Sequence, residues 1–467
     1  MPKTDSAPMA ANRSKTVWTV LLVALLVALL SRGAVMAWRF GQLQQDPDAY
    51  RILAENLAQH KVLGGVDADG NRVPTAFRPP GYPWLLSWFV FDGKLSPLSV
   101  AELHIALGFL TIALTYRIGR QLLPRRGALL ATLLVAIDPI LLGQSTLVMT
   151  ETVSTFLSAL AWWFYLNAER ELNDHESSRR LTGWALAMGL ALAAGYLCRP
   201  VFIVWAGFIL IMLSFRAIAF ERRRVWMVAS IGGMILLAVS LWTFRNARVM
   251  GKPIWATTHG GYTLLLGNNP SFYEYLRTGR FGEKWDASFF HARWGRRIAG
   301  DPTSAEFWSK TWEVDAKDPD GSENESFASD AFPPELEDDA LAYATAKAAI
   351  KREPEMFIYS SFVRLGRLWS PMPHAGDYHP LLRYAVGGYY AAMMLACAIG
   401  IWRLGRILVT PAWLAMLLLA VALSGVHSIY WSNMRMRALA VPLLAMLASA
   451  SLYSRPEPVK PPEAKFP

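Results

Sequence analysis

The stretch QQDPDAYRILAENLAQHK, Gln44 to Lys61, sets two carboxylates, Asp46 and Asp48, on either side of Pro47, just beyond a long apolar run. A carboxylate can take a proton from an attacking group or steady positive charge as it develops. Other ionisable side chains stand near the ends of later apolar runs: Arg78, Glu102, His104, Asp138, Glu151, Arg199, Arg245, His427, Arg435 and Arg437. Charge at membrane depth is costly and usually faces a cavity or a partner. Gathered at one side of a membrane, such a set points to a polar chamber, while any single member is better read as capping a span among the headgroups.

The elements that must carry these groups are membrane helices. The chain has 467 residues, is 53% hydrophobic and only 18% charged. Apolar runs near the length of a bilayer crossing lie at Val17–Trp38, Leu98–Tyr116, Gly127–Gly143, Leu147–Leu166, Leu181–Gly195, Val201–Phe215, Val225–Thr243, Tyr384–Trp402, Pro411–Val426 and Ala438–Leu452. The expected fold is an all-α polytopic membrane protein with about ten transmembrane helices, bounded at roughly 8 and 13. The first run has the basic start of a secretory signal, and Val35–Ala37 loosely suits a cleavage site, but Arg32 breaks its core, so it reads as a retained span.

Lys and Arg in short loops set orientation. They gather in the N-terminal tail and then in every second loop: Arg117 to Arg126, Arg170 to Arg180, Arg216 to Arg224, and Arg403 with Arg406. That side reads as cytoplasmic, so the formal charge of +10 is a topology signal. No basic patch is interleaved with aromatics on a soluble surface, which excludes nucleic acid as a partner. Cys198 and Cys397 have no metal-ligand spacing and read as small packing residues.

No internal repeat is found. Three regions follow: an N-terminal membrane domain, 1–244, with an outer loop at 39–97; an extracytoplasmic domain of mixed or mainly helical structure, 245–381; and C-terminal spans and tail, 382–467. Between Asp301 and Asp339 there are thirteen acids against two lysines, and the segment reads as a mobile surface loop. The stretch PPELEDDALAYATAKAAIKREP after it reads as a helix, acidic at its start and basic at its end. At the opening stretch, Asp46 suits an N-cap, with Pro47 at N1 and Asp48 beside the positive helix end. The helix is expected from Pro47 to about Gln59, with Tyr50, Leu53, Ala54 and Leu57 as an apolar strip fit to lie on the membrane surface.

The motif Asp46, Tyr50, Ala54 resembles the first-loop signature of polyprenyl-phosphate-dependent membrane glycosyltransferases of the GT-C type, including protein O-mannosyltransferases and lipid A aminoarabinose transferases. Other stretches are similar in the same order: FRPPGYPWLL from Phe77, VMTETVSTFL around Glu151, LCRPVFI around Arg199, LWTFRNARVMGKPIWATTHGGYTLLLGNNP from Leu241, and YWSNMRMRALAVPLLAMLA around Arg435 and Arg437. The resemblance implies transfer of a sugar from a polyprenyl phosphate to a hydroxyl or amine at the outer face of the plasma membrane. Asp46 would be the general base, with an oxocarbenium-like transition state beside it. The phosphate leaving group needs charge, and Arg78, Arg199, Arg435 and Arg437 are the candidate ligands. Glu151 would orient the acceptor or pair with an arginine. Arg435 and Arg437 suit headgroup anchoring as well as they suit the phosphate.

The sequence also departs from its relatives. Pro47 stands where many carry Glu, with Asp48 one later, and Ala49 stands where aminoarabinose transferases carry Arg. Asp48 either replaces the missing acid or serves the helix dipole. Donor sugar and acceptor (protein, lipid or glycan) therefore stay open. Some distant relatives use a divalent metal, but no ligand cluster is seen here, and His104 and His427 read as isolated core histidines. A transporter or flippase, and an O-antigen ligase or polymerase, are the competing classes. The former is disfavoured by the lack of repeats and by ionisable groups confined to one face.

Overall fold

The computed structural model describes residues 26–66, 69–174, 178–219, 221–279, 282–295, 301–302, 304–312, 334–375 and 379–452. The described chain begins in α1 (Leu26–Trp38) and passes into the first long loop, the one expected on the outer side. That loop holds α2 (Tyr50–His60), the antiparallel pair β1 (Gly64–Val66) and β2 (Arg72–Pro74), α3 (Gly81–Ser87), and a second pair, β3 (Val90–Phe91) and β4 (Lys94–Leu95). Gly64 lies opposite Pro74, and Val90 opposite Leu95.

The bundle continues with α4 (Pro97–Leu122), α5 (Arg125–Ala136), α6 (Pro139–Gln144), α7 (Glu151–Asn173), α8 (Ser178–Cys198), α9 (Val201–Ala219) and α10 (Arg224–Met250). The stretch between α10 and α17, expected as the outer domain and called so below, carries α11 (Gly260–Leu266), α12 (Pro270–Thr278), α13 (Ser288–Gly295), α14 (Ala305–Thr311), α15 (Glu335–Arg352) and α16 (Pro354–Leu368). The chain returns through α17 (Pro380–Leu404), α18 (Pro411–Ile429) and a 3-10 turn leading into α19 (Val441–Ser449).

Every apolar run of the sequence falls on a helix, the first being described only from Leu26. Among the described residues, eight helices are long and apolar enough to cross a membrane. Helix α7 is not among them: its sequence ETVSTFLSALAWWFYLNAERELN mixes Ser, Thr, Trp, Tyr and Asn with its apolar residues and carries charge at both ends. The count of about ten is thus approximate. With each long helix crossing once, the α4–α5, α7–α8, α9–α10 and α17–α18 junctions, which carry the basic residues, share one end of the bundle. The other end holds the first loop, the α6–α7, α8–α9 and α18–α19 junctions, and the outer domain. Two buried clusters follow this division: one runs through the bundle and the first loop, and one in the outer domain is built around Phe272, Trp285, Phe290, Trp308 and Trp312.

Three local expectations are corrected. Helix α2 starts at Tyr50, not Pro47, because Ala49 takes a left-handed conformation, φ 61°. Asp48 therefore lies before the helix and turns to Arg78, 2.7 Å away. The strip of Tyr50, Leu53 and Ala54 does not lie on the membrane: all three are buried, and α2 packs on α3. Helix α15 matches its expected segment, while the acidic stretch before it lies, from 313 to 333, outside the described residues.

Candidate functional site

Asp46, Pro47, Asp48 and Ala49 form a turn, closed by the Ala49 N–H donating to the Asp46 carbonyl at 3.2 Å. The turn folds the Asp46 side chain back over α2. Its carboxylate accepts from the Arg51 N–H at 3.1 and 3.0 Å and from the Ile52 N–H at 3.1 Å. The cap expected of Asp46 is thus present, delivered from outside the helix. A carboxylate has about four lone-pair sites, so these contacts leave an acceptor position open. The Arg51 guanidinium ties the carbonyls of Leu43 and Leu95 together behind the turn.

Asp48 faces the other way. Its carboxylate accepts from Arg78 Nη2 at 2.7 Å, and its carbonyl from Arg78 Nε at 3.2 Å. The Arg78 guanidinium also lies 4.5 Å from the Phe77 ring centroid and 5.6 Å from that of Tyr50. Its Nη1 makes no bond among the described residues. This segment approaches the bundle closely because Gly81 lacks a side chain: a Cβ there would meet the Leu197 carbonyl oxygen at 2.7 Å.

Glu151, at the start of α7, is 2% exposed and is shared by two cations. Arg199 Nη1 lies 3.2 Å from its carboxylate and Arg435 Nε 3.6 Å. Two guanidiniums against one carboxylate leave one positive charge. Their other directed donors meet only thioethers, Arg199 Nη2 at 2.8 Å from Met436 Sδ and Arg435 Nη1 at 2.8 Å from Met149 Sδ. Sulfur is a weak acceptor. Removing one partner of a buried pair costs about 3–5 kcal/mol, so Glu151 also holds three spans together.

Tyr50 and Tyr82 join the two groups. Their rings are 5.1 Å apart, edge to face. Burial pushes the Tyr50 phenol up to about 12, and Arg78, Asp48, Arg199 and Glu151 all act on it. Burial likewise holds Tyr82 well above the usual phenol range, with Tyr50, Glu151, Cys198 and Asp46 adding to it. Its hydroxyl is 2.9 Å from His104 Nε2, whose other nitrogen meets the Ser145 carbonyl. His104 is thus a satisfied interior histidine, as is His427, bonded to the Trp431 carbonyl.

Arg437 is not brought to this group. It is fully buried, donates to the carbonyls of Leu368 and Ser370, and lies over Tyr390, whose hydroxyl donates to Asp138. Headgroup anchoring is therefore corrected for Arg437: the 3-10 turn at Met434–Ala440 sends it inward, two residues from Arg435. Asp138 instead caps α6 through the Leu141 N–H, and Glu102 is exposed. Sequence reasoning missed Tyr82 and the two methionines. The only signal for them is position, Met149 two residues before Glu151 and Met436 between the arginines.

Residues 77–242 match the family described as dolichyl-phosphate-mannose-protein mannosyltransferase, which bears out the resemblance read from the sequence. Asp46 lies outside the matched span. The chain has the fold of the oligosaccharyltransferase of Archaeoglobus fulgidus, a GT-C membrane enzyme, in its apo form, with TM-score 0.50 and 18% identity over 92% of this chain and 50% of that one. The oligosaccharyltransferase AglB from Archaeoglobus fulgidus in complex with an inhibitory peptide and a dolichol-phosphate gives TM-score 0.50 and 14% identity over 94% of this chain and 50% of that one. ArnT from Cupriavidus metallidurans bound to undecaprenyl phosphate gives 0.39 and 15% over 94% and 77%. The chain spans about half the length of the oligosaccharyltransferase. No curated protein matches it in sequence.

Proposed function

We propose that the protein is a glycosyltransferase that moves a sugar from a polyprenyl phosphate to a hydroxyl or amine acceptor at the outer face of the plasma membrane, with Asp46 as general base. The supporting observation is the seat at Glu151, where Arg199 and Arg435 carry one uncompensated positive charge and turn N–H groups toward thioethers. A phosphate is a far better acceptor than a thioether and suits charge-assisted bonds from guanidinium. Arg78 Nη1, fixed by the bond to Asp48, is a third donor for the same phosphate.

In the proposed step the acceptor oxygen or nitrogen attacks the anomeric carbon and gives its proton to Asp46. The bond from that carbon to the phosphate oxygen breaks, and its electron pair leaves with the polyprenyl phosphate. The arginines stabilise the charge that gathers there, an effect strongest where water is excluded. The family description and the dolichol-phosphate held by the solved oligosaccharyltransferase agree with a lipid-phosphate donor. Arg437, whose Nη1 donates to the carbonyls of Leu368 and Ser370 and whose guanidinium lies over Tyr390, serves as an internal brace.

The seat is tested by binding of undecaprenyl phosphate to detergent-purified protein. Arg199→Gln and Arg435→Gln should each weaken Kd about tenfold, the loss of one charged contact worth about 1.4 kcal/mol. Unchanged affinity in both variants would remove the seat from the account.

A further inference from the structure

We propose that Glu335, in the outer domain, is a positioning residue that holds the segment carrying Arg78 and so couples that domain to the reaction centre; this rests on the transferase reading above. Glu335 is the first residue of α15. Its carboxylate accepts from the Thr75 hydroxyl at 2.6 Å, the Ala76 N–H at 3.1 Å and the Thr258 hydroxyl. Ala76 is held from its other side as well, since the Thr258 N–H donates to its carbonyl at 3.1 Å. One side chain thus joins three separate stretches of chain two residues before Arg78.

Other groups hold the two ends of that segment, and Glu335 holds its middle. Arg245 donates to the Thr75 carbonyl at 2.8 Å and the Leu63 carbonyl at 2.9 Å, which fixes the backbone before Glu335 does. Beyond Ala76 the Phe77 N–H donates to the Thr75 hydroxyl at 2.8 Å, the same hydroxyl that Glu335 holds, Phe77 packs against His259 at 4.5 Å, and Arg78 lies over Phe77 and is held at its tip by Asp48 at 2.7 Å. Glu335 is anchored in turn. One helical turn on, Asp339 accepts from the Gly261 N–H at 2.7 Å, and a Cβ on Gly261 would strike the Asp339 carbonyl oxygen. The same face of α15 therefore grips both α11 and the first outer loop. Three donors converge on two carboxylate oxygens, an arrangement that an amide, with one acceptor oxygen, satisfies only in part.

The test combines kinetics with hydrogen exchange on the full-length protein in detergent. Donors are undecaprenyl-phosphate mannose, glucose, galactose and aminoarabinose, a total membrane lipid and protein extract supplies hydroxyl and amine acceptors, and release of undecaprenyl phosphate is followed. Glu335→Ala should lower kcat/KM for the donor at least tenfold, because Arg78 is one of the three donors to its phosphate, while Kd changes caused by Arg199→Gln stay as in the wild-type background. Glu335→Gln should recover part of the loss. In an Arg78→Lys background the same alanine substitution should cost less than twofold, since a residue acting through Arg78 has nothing left to position. Exchange of the Ala76 and Phe77 amides should rise about tenfold in Glu335→Ala. Wild-type kcat/KM in Glu335→Ala, or costs that simply multiply in the double variant, would overturn the proposal. Absence of transfer by the wild type with every donor would count against the transferase reading instead. The exchange data then decide the brace: faster exchange supports it, and unchanged exchange refutes it.

Discussion

All the backbone bonds to the Asp46 carboxylate come from the first turn of α2, so the side chain is held in place before any substrate arrives. Such preorganisation suits the base proposed above, and it also explains why capping and catalysis could not be told apart in the sequence: the same bonds would serve both. Arg78, Glu151 and Arg199 were legible because charge at span ends must find partners, and here each has found one. Arg435 and Arg437 were not separable, since two residues of spacing do not say which way a 3-10 turn points each side chain. His259 gives a prediction at this scale. Burial, helped by Arg78, pushes its imidazole down to about 3. The unfolded chain binds a proton near pH 6.5. Its contribution to stability is therefore full above that pH and is lost as pH falls toward the folded value, at no more than about 1.4 kcal/mol per pH unit. Melting of the wild type should drop by several degrees more between pH 7 and pH 5 than melting of His259→Phe. Parallel curves would show that the histidine carries no such burden.

At the scale of elements, the start of α2 was misplaced by three residues because Asp-Pro is a strong start signal that the turn overrides. Ala49 bears the cost, at φ 61°, in a region that L-residues with a Cβ visit at about 1–2 kcal/mol. Ala49→Gly should raise stability by about 0.5–1 kcal/mol in a denaturation or melting experiment, and Ala49→Val should lower it. Equal stability of the three proteins would mean that the turn relaxes in solution. Helix α15, by contrast, was legible at both ends, with acids in its first turn, Lys351 and Arg352 in its last, and Pro354 opening α16. What the sequence did not show is that the first of those acids, Glu335, reaches across to Thr75 and Ala76, because a contact spanning 260 positions leaves no local periodicity.

On the scale of the whole molecule, alternating crossings put the basic junctions at one end of the bundle and the acids, arginines and outer domain at the other. Hydrophobic runs and loop charge were enough to read this, since both follow from the bilayer as a solvent. The ionisable residues at this end form smaller groups than the full set suggested: Asp48 pairs with Arg78, Glu151 with Arg199 and Arg435, and the edge-to-face rings of Tyr50 and Tyr82 lie beside them, while Asp138 and Arg437 flank Tyr390 as a separate interior brace. The central claim is that this end of the molecule removes a proton from an acceptor through the carboxylate at position 46. Asparagine is itself a good cap and keeps an oxygen for the α2 amides, so Asp46→Asn isolates the charge from the fold. Reconstituted in vesicles with an undecaprenyl-phosphate sugar donor, the Asp46→Asn protein should bind undecaprenyl phosphate with wild-type Kd yet release it from the donor at least about 100-fold more slowly, the scale of a lost general base. Wild-type turnover by that variant would contradict the account.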